Sequence, residues 1–349
     1  ENSVCGFSRR EGDFGMRSVI IGLGAISKMH IRAIKMSDFT ELVGVCDIRE
    51  DRLNETLSEL GNAVSGYSDY KKMICELKPD VVHVCTPHYL HKEMAIFALE
   101  NGCDVYLEKP AGMNADEARE IAAVSKKTGK KVCVSFQNRV IPTNDTAKKY
   151  IEENRLGQLL GIRAYMAWKR EGAYYTESGW RGTWEKEGGG VLMNQSIHTL
   201  DLMYYFGGKV KDIKGSVALR KNKGTIEVED TAEATLWFES GATGIFYATN
   251  CNVADSSVEI ELYFKDGKLL LVNDTLYENK DGELNVIARN SDYSKSEGKY
   301  CWGNGHTMMM ERFYGAIGGK DVYYCDIDDA VPVLELIAGI YATSPCKLR

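Results

Sequence analysis

At 349 residues the chain exceeds what one hydrophobic core usually encloses, so two domains are expected. Its 44% hydrophobic and 27% charged residues are those of a soluble globular protein, and a net charge of −7 without a basic run argues against nucleic-acid or anionic-membrane partners. No apolar run reaches the roughly 18 residues that a membrane span needs.

Ten cysteines raise the question of a disulfide framework, but none form a Cys-x-x-Cys pair. Cys46, Cys85 and Cys133 lie in β-branched apolar runs, where a reduced cysteine acts as a small hydrophobe. A reducing, cytoplasmic setting is therefore expected. Residues 1–15 lack the apolar core of a signal peptide and precede Met16, so they are read as an N-terminal extension.

The β-branched run of residues 17–21 meets Gly22-Leu-Gly24-Ala25-Ile26-Ser27, then a helical pattern to about residue 36 and a strand ending at Asp47. This is the dinucleotide-binding order. Gly22 permits the tight turn, Gly24 lets a pyrophosphate approach, and the helix start offers free N–H groups to it. Ser27 replaces the third glycine and is still small. Asp47 lies 23 residues past Gly24, close to the spacing of an acid that binds ribose hydroxyls. It would repel a 2′-phosphate, so NAD is favoured over NADP, a preference that Arg49 and Arg52 weaken without reversing.

Helix and strand patterns then alternate: helix 67–77, strand 81–85, helix 89–100, strand 104–107, a helix to residue 128 opened by Asn114 and Glu117, and strand 131–136. The loops at Thr86-Pro87, Glu108-Lys109-Pro110 and Gln137–Arg139 follow carboxyl ends of strands, where open α/β sheets bind ligands. His88 and His91 form a His-x-x-His pair without a third ligand in view, so no metal site is assigned. Lys109, in a strand-end loop, can polarise a substrate oxygen or relay a proton.

From residue 139 the pattern changes. A helix over 141–153 precedes strands at about 161–168, 213–221, 231–238, 244–250, 258–264 and 268–272, read as an antiparallel sheet with one covered face. Helices at 308–317 and 328–341 close the chain. The expected architecture is an α/β Rossmann domain, residues 16–138, followed by an α+β domain with a large, mostly antiparallel open sheet, residues 139–349, its last helix packing back on the first. Residues 168–184 are dense in aromatics and cations, which suits either a sugar or nucleotide site or an oligomer contact. After three glycines, a helix beginning near residue 192 would place Asn194, His198 and Asp201 on one face.

Together, the nucleotide turn, Thr86-Pro87…His91, Glu108-Lys109-Pro110, Gln137-Asn138-Arg139, Trp180-Arg181, Gly188-Gly-Gly…His198…Asp201 and Gly305-His306…Phe313-Tyr314 resemble the Gfo/Idh/MocA oxidoreductase family over residues 16 to about 343. The resemblance implies that Lys109 binds the reacting hydroxyl and that His198 is the general base, with Asn194 standing where the family often has an aspartate. An amide there can orient the imidazole ring or bind a hydroxyl. Cofactor contacts are expected from Gly22, Gly24, Ala25, Ile26, Asp47, Arg52, Thr86, Pro87, His91, Glu108, Lys109, Asn138, Trp180 and Arg181. Substrate contacts are expected from Lys109, Tyr165, Arg181, Asn194, Gln195, His198 and His306. The implied activity is NAD-dependent hydride transfer at a secondary hydroxyl or ketone of a sugar or cyclitol. A non-catalytic NAD(H) reader and an aldehyde or imine reductase are the alternatives. A homodimer or homotetramer through the open sheet is expected.

Overall fold

The computed structural model describes residues 15–61, 63–290, 304–346 and 348. Residues 1–14, nearly all of the expected extension, lie outside them.

The first domain follows the sequence closely. Its elements are β1 (Met16–Ile21), α1 (Ser27–Met36), β2 (Thr40–Cys46), α2 (Glu50–Leu60), β3 (Ser65–Tyr67), α3 (Tyr70–Leu77), β4 (Val81–Val84), α4 (His91–Glu100), β5 (Asp104–Leu107), α5 (Ala115–Thr128) and β6 (Val132–Val134). The strands pair in parallel in the order β3-β2-β1-β4-β5-β6. Helices on both faces explain why β4, β5 and β6 are buried at every position. Helix α3 starts at Tyr70 rather than 67, because the Asp69 carboxylate accepts from the Lys71 and Lys72 amides. At α5 the Asn114 side chain accepts from Glu117 N, while the Glu117 carboxylate turns back to Met113 N rather than to Asn114.

The second domain comprises α6 (Pro142–Glu152), β7 (Leu159–Ala167), α7 (Ala173–Thr176), α8 (Ile197–Gly207), β8 (Val210–Ala218), β9 (Thr231–Phe238), β10 (Thr243–Thr249), β11 (Glu259–Phe264), β12 (Gly267–Val272), β13 (Thr275–Lys280), β14 (Glu283–Arg289), α9 (Gly305–Ile317) and α10 (Ile327–Thr343). Its sheet runs β14-β13-β12-β11-β7-β10-β9-β8, antiparallel except that β7 and β10 are parallel. Eight strands replace the six expected. The hairpin turns Asn273-Asp274 and Asp281-Gly282 place both residues at positive φ, the requirement of a type I′ turn. Leu284 and Val286 on β14 are exposed, so no clean apolar alternation marked that strand. Helix α10 reaches the first domain, where Asp328 pairs with Lys126 at 2.8 Å and Glu335 pairs with Arg119.

Helix α8 begins at Ile197, five residues later than expected. Residues 188–196 are instead laid against Glu229, whose carboxylate accepts from the Gly190 and Leu192 amides. Glu229 O accepts from Val191 N, and a Cβ on Gly190 would fall 1.9 Å from that oxygen. Asn194 therefore sits in a turn, and His198 and Asp201 alone share the helix. Among the described residues no helix is long and apolar enough to cross a membrane.

Candidate active site

A cavity of about 1310 Å³ opens between the two domains along the carboxyl ends of the parallel strands. At one end lies the glycine turn. Gly22 has φ +90° and a Cβ there would sit 2.8 Å from Cys85 O, so the position requires glycine. A Cβ on Gly24 would meet nothing within 4 Å, so the backbone there faces open cavity. Asp47 accepts from Leu23 N at 2.7 Å and from Arg49 N at 2.8 Å, which fixes both turn and carboxylate. These features fit a dinucleotide: free space for a pyrophosphate at a helix start, and an acid beside it for ribose hydroxyls. Ala25, Ile26, Arg52, Thr86, Pro87, Glu108, Asn138, Trp180 and Arg181 also line the cavity.

His91 does not. It is buried, with its ring nitrogens 2.7 Å from Pro110 O and 2.9 Å from Thr86 O, so it braces two cleft loops from behind rather than facing the cavity. His88 does face the cavity; its Nδ1 meets Glu187 O at 2.9 Å and its ring packs on Trp180.

Lys109 and His198 share the middle of the cavity. Lys109 Nζ donates to Asn194 O at 2.9 Å and to Asn194 Oδ1 at 3.3 Å. His198 is half-buried, packs edge-on to Phe136, and its Nδ1 is shut off from solvent and has no partner among the described residues. Burial, and then the neighbouring Lys109 charge, push its pKa down to about 3. The ring is therefore neutral at neutral pH, able to accept a hydrogen bond from a hydroxyl but weakly basic while Lys109 is charged. Asn194 differs from expectation: its amide donates to Glu187 Oε1 at 2.6 Å and its oxygen receives Lys109, so it orients the lysine rather than the imidazole. Glu187 is buried, accepts also from Gly182 N, and is pushed up to about 7, chiefly by burial. Nothing in the periodicity singled out Glu187.

The aromatic and cationic segment forms one wall. Arg181 lies over the Tyr174 ring at 4.4 Å and over Trp180 at 5.0 Å. Arg170 is held by Asp255 at 2.8 Å and also stacks on Trp168 and Tyr174. Gln195 donates to Tyr174 Oη at 2.6 Å and accepts from Asn250 at 2.8 Å. His306, on α9, lines the cavity beside Glu108. Tyr165 does not reach it: strand β7 alternates, so Tyr165 points to the open face of the sheet and stacks on Tyr247. Asp201 is removed from the cavity in a bidentate pair with Arg139.

Fold and cleft together define a two-domain oxidoreductase with a dinucleotide-binding first half. The family model described as "Oxidoreductase family, NAD-binding Rossmann fold" matches residues 16–136, and the "GFO/IDH/MocA C-terminal domain" matches residues 144–270. The D-glucoside 3-dehydrogenase of Escherichia coli K12 is 29% identical over 96% of this chain and 97% of its own. The scyllo-inositol 2-dehydrogenase (NAD(+)) of Bacillus subtilis is 25% identical over 94% and 93%. The structure of the WlbA dehydrogenase from Bordetella pertussis, in complex with NADH and UDP-GlcNAcA, superposes with a TM-score of 0.82 at 26% identity, covering 95% of this chain and 96% of that one. The chain belongs to the Gfo/Idh/MocA oxidoreductase family.

Proposed function

We propose that this enzyme transfers a hydride between NAD and a secondary hydroxyl or ketone of a sugar, sugar derivative or cyclitol. The observation that carries the reading is the convergence, in one cavity, of the Gly22–Gly24 turn, the Lys109 ammonium and the solvent-shielded Nδ1 of His198, which has no partner among the described residues. The relatives' names, glucoside and inositol dehydrogenases, support the same substrate class. When bound, the nicotinamide supplies the hydride chemistry. The chain supplies the rest: Asn194 orients Lys109, Lys109 binds the substrate oxygen, and His198 accepts a hydrogen bond from the hydroxyl and then its proton as charge is redistributed. Arg181, Tyr174 and Gln195 offer donors and a ring face to the remaining hydroxyls. A non-catalytic reader would have no use for Lys109 and His198 in one cavity, and an aldehyde or imine reductase would not need so polar a wall.

Residues 16–138 are read as the cofactor domain and 139–349 as the substrate and oligomerisation domain. The open sheet face carries the Tyr165–Tyr247 stack beside exposed Trp237, Ile245 and Tyr263, which supports a homodimer or homotetramer through that face. Free thiols at all eight described cysteines support a reducing, cytoplasmic setting. The test is nicotinamide absorbance over a panel of glycosides, free sugars, nucleotide sugars and inositols with NAD. Turnover of at least one class is expected. Saturable NAD binding with no turnover across the panel would overturn the reading.

A further inference from the structure

Behind the cleft, one run of buried polar side chains, from the first domain and from α9 packed against it, continues without a break. Glu108 Oε1 lies 3.0 Å from His30 Nε2, His30 Nδ1 lies 2.9 Å from His83 Nδ1, and His83 Nε2 lies 2.6 Å from the Tyr314 hydroxyl. Tyr314 Oη is 2.9 Å from Ser18 Oγ, which is 2.7 Å from Thr40 Oγ1, and Thr40 donates to Met16 O at 2.8 Å. Every one of these side chains is buried, so each contact needs its hydrogen.

Counting hydrogens sets the state of the run. There are six contacts, while Thr40, Ser18, Tyr314, His83 and His30 supply five hydrogens when neutral, and ionised Glu108 supplies none. A sixth hydrogen on Glu108, or on either imidazole, restores all six contacts. Without it two acceptors face each other somewhere in the core, or two lone pairs of the adjoining rings do. Within the run of six contacts, Glu108 and His30 form the one carboxylate–imidazole contact, so they are the natural holders. The run also has an outlet. His306 Nε2 is 3.4 Å from Glu108 Oε1, and His306 Nδ1 has no partner among the described residues in a ring that lines the cavity.

We propose that Glu108, His30, His83 and Tyr314 form a proton-storage site that holds one proton, shared between Glu108 and His30, and exchanges it with the cleft through His306. A proton entering at His306 Nδ1 while the Nε2 proton passes to Glu108 moves one proton inward. It leaves His306 neutral in its other tautomer and needs no rearrangement of the fold. The groups facing the run are Cys85 and His83 from β4 and the loop after it, Tyr106, Glu108 and Lys109 from β5 and its loop, Cys133 from β6, His198 from α8, and His306 and Tyr314 from α9. Burial pushes His30 down, whereas Glu108, raised by burial, is held well below its usual value by donation from His30 and His306. Taken one residue at a time, those directions leave five hydrogens for six contacts. The connected run therefore governs occupancy. A store that opens on the cleft can take up the proton released when a hydroxyl is oxidised. That use rests on the function proposed above, but the storage site itself does not.

The chain has only six histidines, so ¹⁵N-histidine labelling with single substitutions assigns every ring. In the cofactor-free protein at neutral pH, three signals are expected together: a protonated His83 Nε2, an N–H···N coupling between His30 and His83, and a hydrogen in the His30–Glu108 contact, seen as protonation of His30 Nε2 or, with ¹³C-glutamate labelling, of the Glu108 carboxyl. Five hydrogens cannot give all three. A bare His83 Nε2, the absence of the coupling, or a bare His30 Nε2 facing an ionised Glu108 would overturn the proposal. Tyr314→Phe removes two contacts and one hydrogen, so four hydrogens then serve four contacts. In that variant the stored proton should leave, His83 Nε2 should become bare, and the coupling should persist with the proton on His83 Nδ1. Retention of the His83 Nε2 proton in a folded Tyr314→Phe variant would count against the store. His306→Gln should slow solvent exchange of the His83 Nε2 proton by about tenfold or more, and an unchanged rate would remove His306 as the outlet. Stoichiometric zinc in the purified protein, bound through these histidines, would overturn the proposal as a whole. No readout here uses a sugar, so failure of the substrate reading leaves them intact.

Discussion

The side-chain amide of Asn194 donates to Glu187 Oε1 at 2.6 Å while its own oxygen receives Lys109 Nζ at 3.3 Å. An amide can face a carboxylate on one side and an ammonium on the other. A carboxylate in its place cannot. Asn194→Asp, which installs the aspartate that the family resemblance leads one to expect there, should therefore impair this enzyme. It would put two carboxyls at contact distance, and one must hold a proton or swing away. A fall of at least about tenfold in kcat/KM at neutral pH is expected, equal to about 1.4 kcal/mol of transition-state stabilisation. Glu187→Gln should restore most of the activity of Asn194→Asp, since the new amide donates to the new carboxylate. An Asn194→Asp variant as active as the parent would show that Glu187 does not orient the site.

Asp201 and Arg139 make a different kind of pair. Both are buried, Arg139 meets both carboxylate oxygens at 3.0 and 3.1 Å, and burial pushes Asp201 up to about 6 despite the guanidinium. Asp201→Ala would remove the bidentate partner and leave the buried arginine only Asp329 among the described residues, 3.3 Å from its Nη1, as counter-charge, so the loss in unfolding free energy should approach, without reaching, the roughly 3–5 kcal/mol of a fully uncompensated buried charge. Denaturant titration measures this directly. The KM for NAD of whatever fraction folds should stay near that of the parent, because neither residue lines the cavity.

Much of this is legible in the sequence. Gly22, Gly24 and Asp47 announce themselves because their roles are local: each is set by the turn it sits in. Lys109 and His198 were readable only as a combination typical of the family. Three features escaped. Tyr165 is expected among the substrate contacts, but a strand presents alternate residues to opposite faces, and the parity at 165 points outward. The start of α8 was set too early because the apolar pattern continues back to Val191, whereas Glu229, remote in sequence, captures the backbone there. The run from Glu108 to Thr40 joins β1, β2, β4, α1, α9 and the loop after β5, so no sequence window contains it.

His198 gives the fold a predictable pH dependence. Its folded pKa of about 3 is below the value near 6.5 expected for an unfolded histidine, so the unfolded chain binds the extra proton between those limits. Its contribution is fully present above about pH 6.5 and is lost as pH falls toward 3. His198→Gln should therefore flatten the decline in stability between about pH 6 and 4, by up to about 1.4 kcal/mol per pH unit. The same substitution, or Lys109→Ala, should cut turnover by about two orders of magnitude with NAD binding kept. An unchanged stability slope, measured by denaturant titration at several pH values, would contradict the depressed pKa of this ring.

Asp47 carries the cofactor prediction. Both its oxygens already hold the turn, through Leu23 N and Arg49 N, so its negative charge is fixed beside the open cavity at Gly24. A ribose 2′-hydroxyl can donate to such an acid, whereas a 2′-phosphate is repelled by it and would find Arg52 on the same cavity wall only once that charge is gone. Asp47→Ser should lower kcat/KM for NAD by about tenfold or more and raise it for NADP, narrowing or reversing the preference. Part of the NAD loss would come from the loosened turn, which acts on both cofactors alike. The ratio of the two kcat/KM values cancels that shared part, so a ratio left unchanged by Asp47→Ser would show that selectivity lies elsewhere in the cleft.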